Sequence, residues 1–183
     1  MTVTIIRHGE TAMNSKDLIC GITDIPLTEK GIMQAKEAAN HLLQKISTGE
    51  LPPVTNIISS PLIRAKQTAE CIAEKFGIKV IEDNRLTEQD YGSFEGKSRF
   101  DPEYRKARTQ FAVRYPGGES ALDTAKRVYP LLDELKKRNN GGHYILATHD
   151  GTYRIILTYL KDMTNSEYAD FRALNCDFHS FLL

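Results

Sequence analysis

The chain has 183 residues and a mass of 20.6 kDa, long enough for one well-buried core and short for two independent domains. Its 24 lysines and arginines are matched by 24 aspartates and glutamates, so no overall basic field exists to gather nucleic acid or an anionic membrane surface, and any anion preference must be local. Cys20, Cys71 and Cys176 are widely separated and fit no paired metal spacing, so they read as reduced thiols; with no basic leader and no run of about 18 apolar residues, a cytoplasmic protein is expected.

The first element, Val3-Thr4-Ile5-Ile6, is a short apolar run that reads as a buried strand and delivers Arg7, His8 and Gly9 together at its end. Thr28 is a plausible cap for a helix carrying Ile32, Ala35, Ala39, Leu42 and Ile46 at helical spacing, which the stretch from Gly49 to Pro53 ends. Val54 to Ser60 reads as a second strand, and Pro61 starts a helix with Ala65, Ala69, Ile72, Ala73 and Phe76 inward and Gly77 at its close. Ile78 to Ile81 is a third short strand.

Residues 86–118 form an irregular stretch rich in aromatic and charged residues, in which only Asp101-Pro102 looks like a helix start. From Ser120 a helix carries Leu122, Ala125, Val128, Tyr129, Leu132 and Leu135 on one side, with Pro130 expected to kink it, and Asn139 to Gly142 is its stop. Tyr144 to Thr148 is the fourth strand, His149-Asp150-Gly151 opens an apolar helix, and a last strand lies between Cys176 and Leu183.

Strands alternating with helices imply a largely parallel sheet covered on both faces, an α/β fold built as a three-layer α/β/α sandwich. The expectation is a single domain over residues 1–183, with the 86–118 stretch as an insertion over the sheet mouth. Ligands in such sheets collect beyond the carboxyl ends of the strands. Three of those junctions carry suggestive chemistry: Arg7-His8-Gly9, Ser59-Ser60-Pro61-Leu62-Ile63-Arg64, and Thr148-His149-Asp150. Arginine offers a fixed fork of donors for phosphate oxygens, and a neutral imidazole can attack phosphorus. Taken singly, Arg64 is an ordinary solvated helix arginine and His149 a satisfied core histidine; two arginines and two histidines at one mouth are harder to dismiss.

Arg7-His8-Gly9-Glu10-Thr11 resembles the signature of the histidine phosphatase superfamily, the phosphoglycerate mutase-like proteins. The similarity continues through Asn14, Gly21 to Thr28, Ser59 to Ala65, Leu86 to Gly92 with Phe94-Glu95-Gly96, Pro116 to Ser120 and Thr148-His149, covering nearly the whole chain in order. It implies that His8 is the phosphoryl acceptor, that Arg7, Arg64 and His149 contact the transferred group, and that Glu88 is the proton donor. Asn14 and Thr11 are then expected near the phosphate of a small-molecule phosphate ester. No cofactor and no metal is implied, and a metal site built from His8, His149, Glu88 and Asp150 is disfavoured by the repulsion of two arginines. His41, His143 and His179 lie outside the junctions and read as structural or solvated.

Two positions depart from the family pattern: Phe94 stands where a tryptophan is frequent, and Asp150 where glycine is common. An aspartate facing a dianion would repel it, so Asp150 is expected to turn away and cap the following helix. The short chain leaves little room for segments that shield an intermediate, which favours a phosphatase over a mutase. A phospholigand-binding protein without turnover is the alternative from another class. Phe100, Tyr104, Phe111 and Tyr115 interleaved with Arg99, Arg105, Arg108 and Arg114 read either as a substrate-facing lid or as an ordinary amphipathic helix; substrate identity and oligomeric state are left open.

Overall fold

The computed structural model describes residues 1–138 and 141–183, so Asn139 and Asn140 of the expected helix stop lie outside the described residues. The α/β expectation holds. Five strands, β1 (Thr2–Arg7), β2 (Asn56–Ser59), β3 (Val80–Glu82), β4 (His143–Thr148) and β5 (Phe178–Leu182), form one sheet in the order β3-β2-β4-β1-β5. The first four run parallel; β5 pairs antiparallel with β1 at the edge. Helices α1 (Glu29–Ser47) and α2 (Ile63–Phe76) cover one face, and α4 (Ala121–Arg138) and α5 (Asp150–Leu160) the other. The short helices α3 (Pro102–Arg108) and α6 (Asn165–Asp170) lie between these layers and the strand ends in sequence.

Strand alternation sorts the two cores. Val3, Ile5, Ile58 and Leu146 pack against Val128, Leu132 and Ile156, whereas Ile6, Ile57, Ile145 and Ala147 pack against Ala35, Leu42, Ala69 and Ile72. Register then does the work of assembling the strand ends: Arg7 lies opposite Thr148, and Ser59 opposite Ala147, so His8, His149 and Ser60 leave the sheet at one level. The bonds His8 N–H to Thr148 O (2.9 Å) and Ser60 N–H to Ala147 O (3.0 Å) extend the ladder one step past the strands.

Several local expectations need correction. The third strand begins two residues later than the apolar run suggested, at Val80, and β4 already includes His143. Leu122 is exposed, and Leu131, on the opposite side of the helix and outside the expected stripe, is buried. Pro130 does not interrupt α4; it lies on an exposed face, as does Lys126, whose carbonyl its missing amide would otherwise meet. Helix α6 had no counterpart in the periodicity, although Thr164 and Glu167 form a reciprocal capping box at its start.

Thr28 caps α1 as expected, accepting from Gly31 N–H at 3.0 Å. The first turn of that helix presses onto the segment after β1: a Cβ on Gly31 would lie 2.2 Å from the Glu10 carbonyl oxygen, and one on Gly9 would lie 2.4 Å from that of Gly31. Both contacts are with backbone, which cannot rotate away. Gly31→Ala should therefore lower the unfolding free energy by roughly 1–3 kcal/mol despite alanine's better helix propensity. Urea unfolding checks this, and a stabilised variant would contradict the close approach.

Candidate active site

His8 is 3% exposed, and its Nδ1–H donates to its neighbour's carbonyl, Gly9 O, at 2.7 Å. That bond leaves the lone pair on Nε2, the nitrogen that receives Arg64 Nε–H at 3.3 Å. Burial first, then the charges of Arg64 and Arg7, push the His8 pKa well below its ordinary 6.5, outweighing the Gly9 bond, so the ring is a neutral base.

Arg64 is completely buried in the first turn of α2 and, among the described residues, has no carboxylate partner. Its guanidinium is held by loop carbonyls instead, NH1 donating to Thr23 O (2.8 Å) and NH2 to Gly21 O (2.6 Å). His149, also fully buried, lies with its ring centroid 5.1 Å from that of His8. Ser60 Oγ accepts from Leu62 N–H and is hydrogen-bonded to His149 Nε2 at 2.8 Å; in the tautomer that has Ser60 donating, the ring proton sits on Nδ1. Burial, then Arg64, His8, Arg7 and Arg127, lower the His149 pKa well below 6.5.

Two buried nitrogens of this group have no hydrogen-bond partner among the described residues: Arg7 Nε and His149 Nδ1. Unpaired buried donors are costly, and a pair of them beside a neutral imidazole suits an anion. Arg7 is anchored by NH1 donating to Ala173 O at 2.6 Å.

Glu88 is 3% exposed and faces the start of α5. Oε2 accepts from Gly151 N–H (2.9 Å), and Oε1 from Gln89 N–H (2.8 Å) and Thr152 N–H (2.9 Å). Burial raises its pKa; the Gly151 and Gln89 amides and Arg64 oppose the rise, Asp150 adds to it, and the balance lies above the ordinary 4.5. Arg127 of α4 fixes this loop by donating to Arg85 O (2.8 Å) and Glu88 O (3.0 Å).

Arg7, His8, Asn14 and Glu88 share one cavity of about 160 Å3; Arg64 and His149, both fully buried against the His8 ring, are not among its lining residues. Asn14 Oδ1 accepts from Thr11 N–H (3.1 Å) and from Asn175 Nδ2 (3.3 Å), so its own amide nitrogen is the group left for the cavity. Thr11 lies elsewhere: its hydroxyl is buried and accepts from Asn14 N–H at 3.3 Å, outside the cavity wall, which makes it a support for Asn14. His143 is buried between Thr4 and Pro52 O, His179 bonds Tyr153, and His41 is exposed, all away from this group.

Asp150 is the second correction. It does not cap α5, whose N-cap residue is His149. Its carboxylate instead receives Arg108 NH1 (3.3 Å), Arg172 NH1 (3.4 Å) and Ala173 N–H (3.0 Å), so it meets cations and an amide rather than standing unpaired. Burial alone would raise its pKa, but Arg108, Arg7, Arg154 and Arg172 hold it down at about 2. Arg108, 4% exposed, also donates to Ala169 O and Phe171 O, pinning α3 to the chain beside α6. The residues 97–115 are thus partly amphipathic helix, with Tyr104 and Arg108 inward at four-residue spacing, and partly cavity wall through Arg99 and Tyr104.

Sequence reasoning named Arg108 only within the stretch read as lid or amphipathic helix, and passed over Arg172 and Asn175 as site residues. Only Arg108 carried a local signal, its i,i+4 spacing from Tyr104. Asn175 donates to His8 O at 3.0 Å across the sheet edge, a contact no nearby residue announces.

A carboxylate with its pKa depressed from 3.8 to about 2 stabilises the fold above the unfolded value and loses that contribution as pH falls through the folded one. Asp150→Asn should therefore cost about 2 kcal/mol at neutral pH, with the gap to wild type closing between pH 3.8 and about 2 in urea titrations. A gap independent of pH would contradict the charge pairing.

Residues 3–182 match the family model of the histidine phosphatase superfamily (branch 1). A probable phosphoglycerate mutase of Yersinia pestis is 32% identical over 96% of this chain and 82% of its own length. Among solved structures, a mycobacterial glucosyl-3-phosphoglycerate phosphatase complexed with VO3 superposes with a TM-score of 0.84 at 28% identity, covering 98% of this chain and 91% of the other. A mutant phosphoserine phosphatase of Entamoeba histolytica in complex with phosphoserine gives 0.81 at 29%, covering 99% and 90%. With that match running almost end to end, the chain belongs to the histidine phosphatase superfamily.

Proposed function

We propose that the protein is a phosphomonoesterase that hydrolyses a small phosphorylated metabolite through a phosphohistidine on His8. The observation that carries this reading is a buried neutral imidazole whose free nitrogen faces Arg64, with the unpartnered donors Arg7 Nε and His149 Nδ1 beside it. Phosphoryl transfer spreads negative charge over equatorial oxygens, and preorganised N–H donors are what stabilises it. As phosphate arrives, Arg64 exchanges the His8 lone pair for a phosphate oxygen. The Nε2 lone pair then bonds phosphorus while the P–O ester bond breaks and the leaving oxygen takes the proton of Glu88. In the second step water attacks phosphorus, returns a proton to Glu88, and breaks the N–P bond.

A mutase would return the group to a reoriented acceptor, and the mutase-named relative keeps that as the second reading. The phosphatase structures that this chain resembles favour water. Wild-type enzyme treated with chelator should release phosphate from a phosphomonoester panel, and His8→Ala should not. Clean interconversion of phosphoglycerates, activity that survives the His8 change, or activity lost with chelator would overturn the proposal.

The two pKa directions set a bell. His8 must be neutral, so kcat/KM rises as pH climbs through a His8 value depressed below 6.5; Glu88 must be protonated, so kcat/KM falls as pH climbs through a value raised above 4.5. The optimum lies between the two midpoints. Glu88→Gln should lower kcat/KM for alkyl phosphates by about 10²-fold or more while sparing p-nitrophenyl phosphate, whose leaving group needs no proton. Equal losses on both would remove Glu88 as the acid.

Phosphoserine and the phosphoglycerates named among the relatives carry a carboxylate beside the phosphate, and the cavity offers a receiver for one in Arg172. Asp150 is shared between Arg172 and the buried Arg108, so one carboxylate faces two guanidiniums and a positive excess remains at the exposed Arg172. Arg172→Gln should raise KM for phosphoserine or 3-phosphoglycerate about 10-fold, with glycerol phosphate unaffected. A uniform rise across both classes would assign Arg172 no part in selectivity.

A further inference from the structure

Arg64 reaches His8 only because the loop from Gly21 to Thr23 presents two carbonyls to it, and that loop is itself gripped from its far side. Glu95 Oε2 accepts from Gly21 N–H (3.0 Å) and from Thr23 Oγ–H (2.7 Å), and Oε1 accepts from Ile22 N–H (3.2 Å). Among the described residues Glu95 has no ion-pair partner; its carboxylate is spent on three donors of one loop. The peptide joining Gly21 to Ile22 donates its N–H to Glu95 and offers its carbonyl to Arg64, so one peptide dipole lies aligned between the two charges. The approach leaves no slack: a Cβ on Gly21 would fall 2.0 Å from Glu95 Oε1 and 2.6 Å from Gln89 O.

We propose that Glu95 is the positioning residue of this site, acting through the Gly21–Thr23 loop to hold the Arg64 guanidinium on His8 Nε2. Glu95 touches neither reacting atom. Asp24, the next residue of the loop, supplements the grip by accepting from Ile63 N–H at 2.7 Å, which ties the loop to the first turn of α2 that carries Arg64. The proposal rests on the phosphatase reading insofar as it concerns rate, but its geometric content concerns His8 and Arg64 alone.

The charged and titratable groups around His8 are Arg7 at the end of β1, Arg64 on α2, His149 and Asp150 at the start of α5 and Glu88 on the loop after β3, with Asp17, Cys20, Tyr91, Arg99, Tyr104 and Arg172 further along the cavity wall. Of these, only Arg64 touches Nε2. Its charge favours the neutral ring, so loosening Arg64 raises the midpoint of His8 and carries the acid limb of kcat/KM to higher pH with it.

Glu95→Gln keeps the shape but offers one acceptor oxygen in place of two and turns an NH2 toward a loop amide. The test is the His8 ring titration by NMR in the intact protein, together with the kcat/KM pH profile. The expected result is an upward shift of the His8 midpoint, the same shift in the acid limb, and a fall in kcat/KM on the order of 10²-fold with a native circular dichroism spectrum. Glu95→Asp should recover part of each. Should Glu95→Gln fail to fold, Thr23→Val, which removes one of the three contacts, should move the His8 midpoint upward by a smaller amount. A His8 titration unchanged in a folded Glu95→Gln or Thr23→Val protein overturns the proposal, whether or not activity falls. A shifted titration in a chain that hydrolyses no ester, wild type included, supports the positioning and refutes the phosphatase reading separately.

Discussion

A guanidinium buried without a carboxylate is the constraint on which the rest of this structure depends. Removing Arg64 from water is expensive, and two loop carbonyls plus an imidazole lone pair are what offset it. A carboxylate partner would have done so more strongly but would have cancelled the charge that an anion needs. The fold therefore satisfies Arg64 with neutral acceptors, keeping its field directed at His8 and lowering the basicity of both histidines. Arg7 adds to the same field from the adjacent strand end, anchored likewise by a carbonyl.

The carboxylates lie within reach of that field, in the same cavity wall, but each is engaged by partners of its own. Asp150 lies where it meets Arg108 and Arg172, so its charge draws the insertion and the segment after α6 together while the histidines remain facing arginine. Glu88 caps the amides at the start of α5, and its burial works against those amides in setting its proton affinity. Parallel register is what makes these placements compatible, since it brings the ends of β1, β2 and β4 to one level, each followed by a segment that can carry a different functional group.

Much of this was legible in the sequence because it depends on local pattern. Apolar runs located the strands, Thr28 and Asp101 marked helix starts, and three junctions ending in Arg-His, Ser-Ser and Thr-His met at one edge of a parallel sheet. What escaped depends on partners far apart in the chain. Asp150 reads as a helix cap from its neighbours alone, and only the arrival of Arg108 from α3 and Arg172 from beyond α6 draws it elsewhere. Asn175 was invisible for the same reason, as its acceptors are His8 and Asn14. Leu122 misled because a one-turn helical period cannot tell the edge of a buried stripe from its centre.

The central claim is a covalent one, that phosphorus is carried on His8 Nε2 between ester and water. It is tested most directly by mixing enzyme with a phosphomonoester, quenching within a single turnover in alkali, where an N–P bond survives, and mapping the phosphorylated peptide. The account predicts acid-labile phosphate on the peptide containing His8. Turnover with no phosphoenzyme, or phosphate found on another residue, would contradict it.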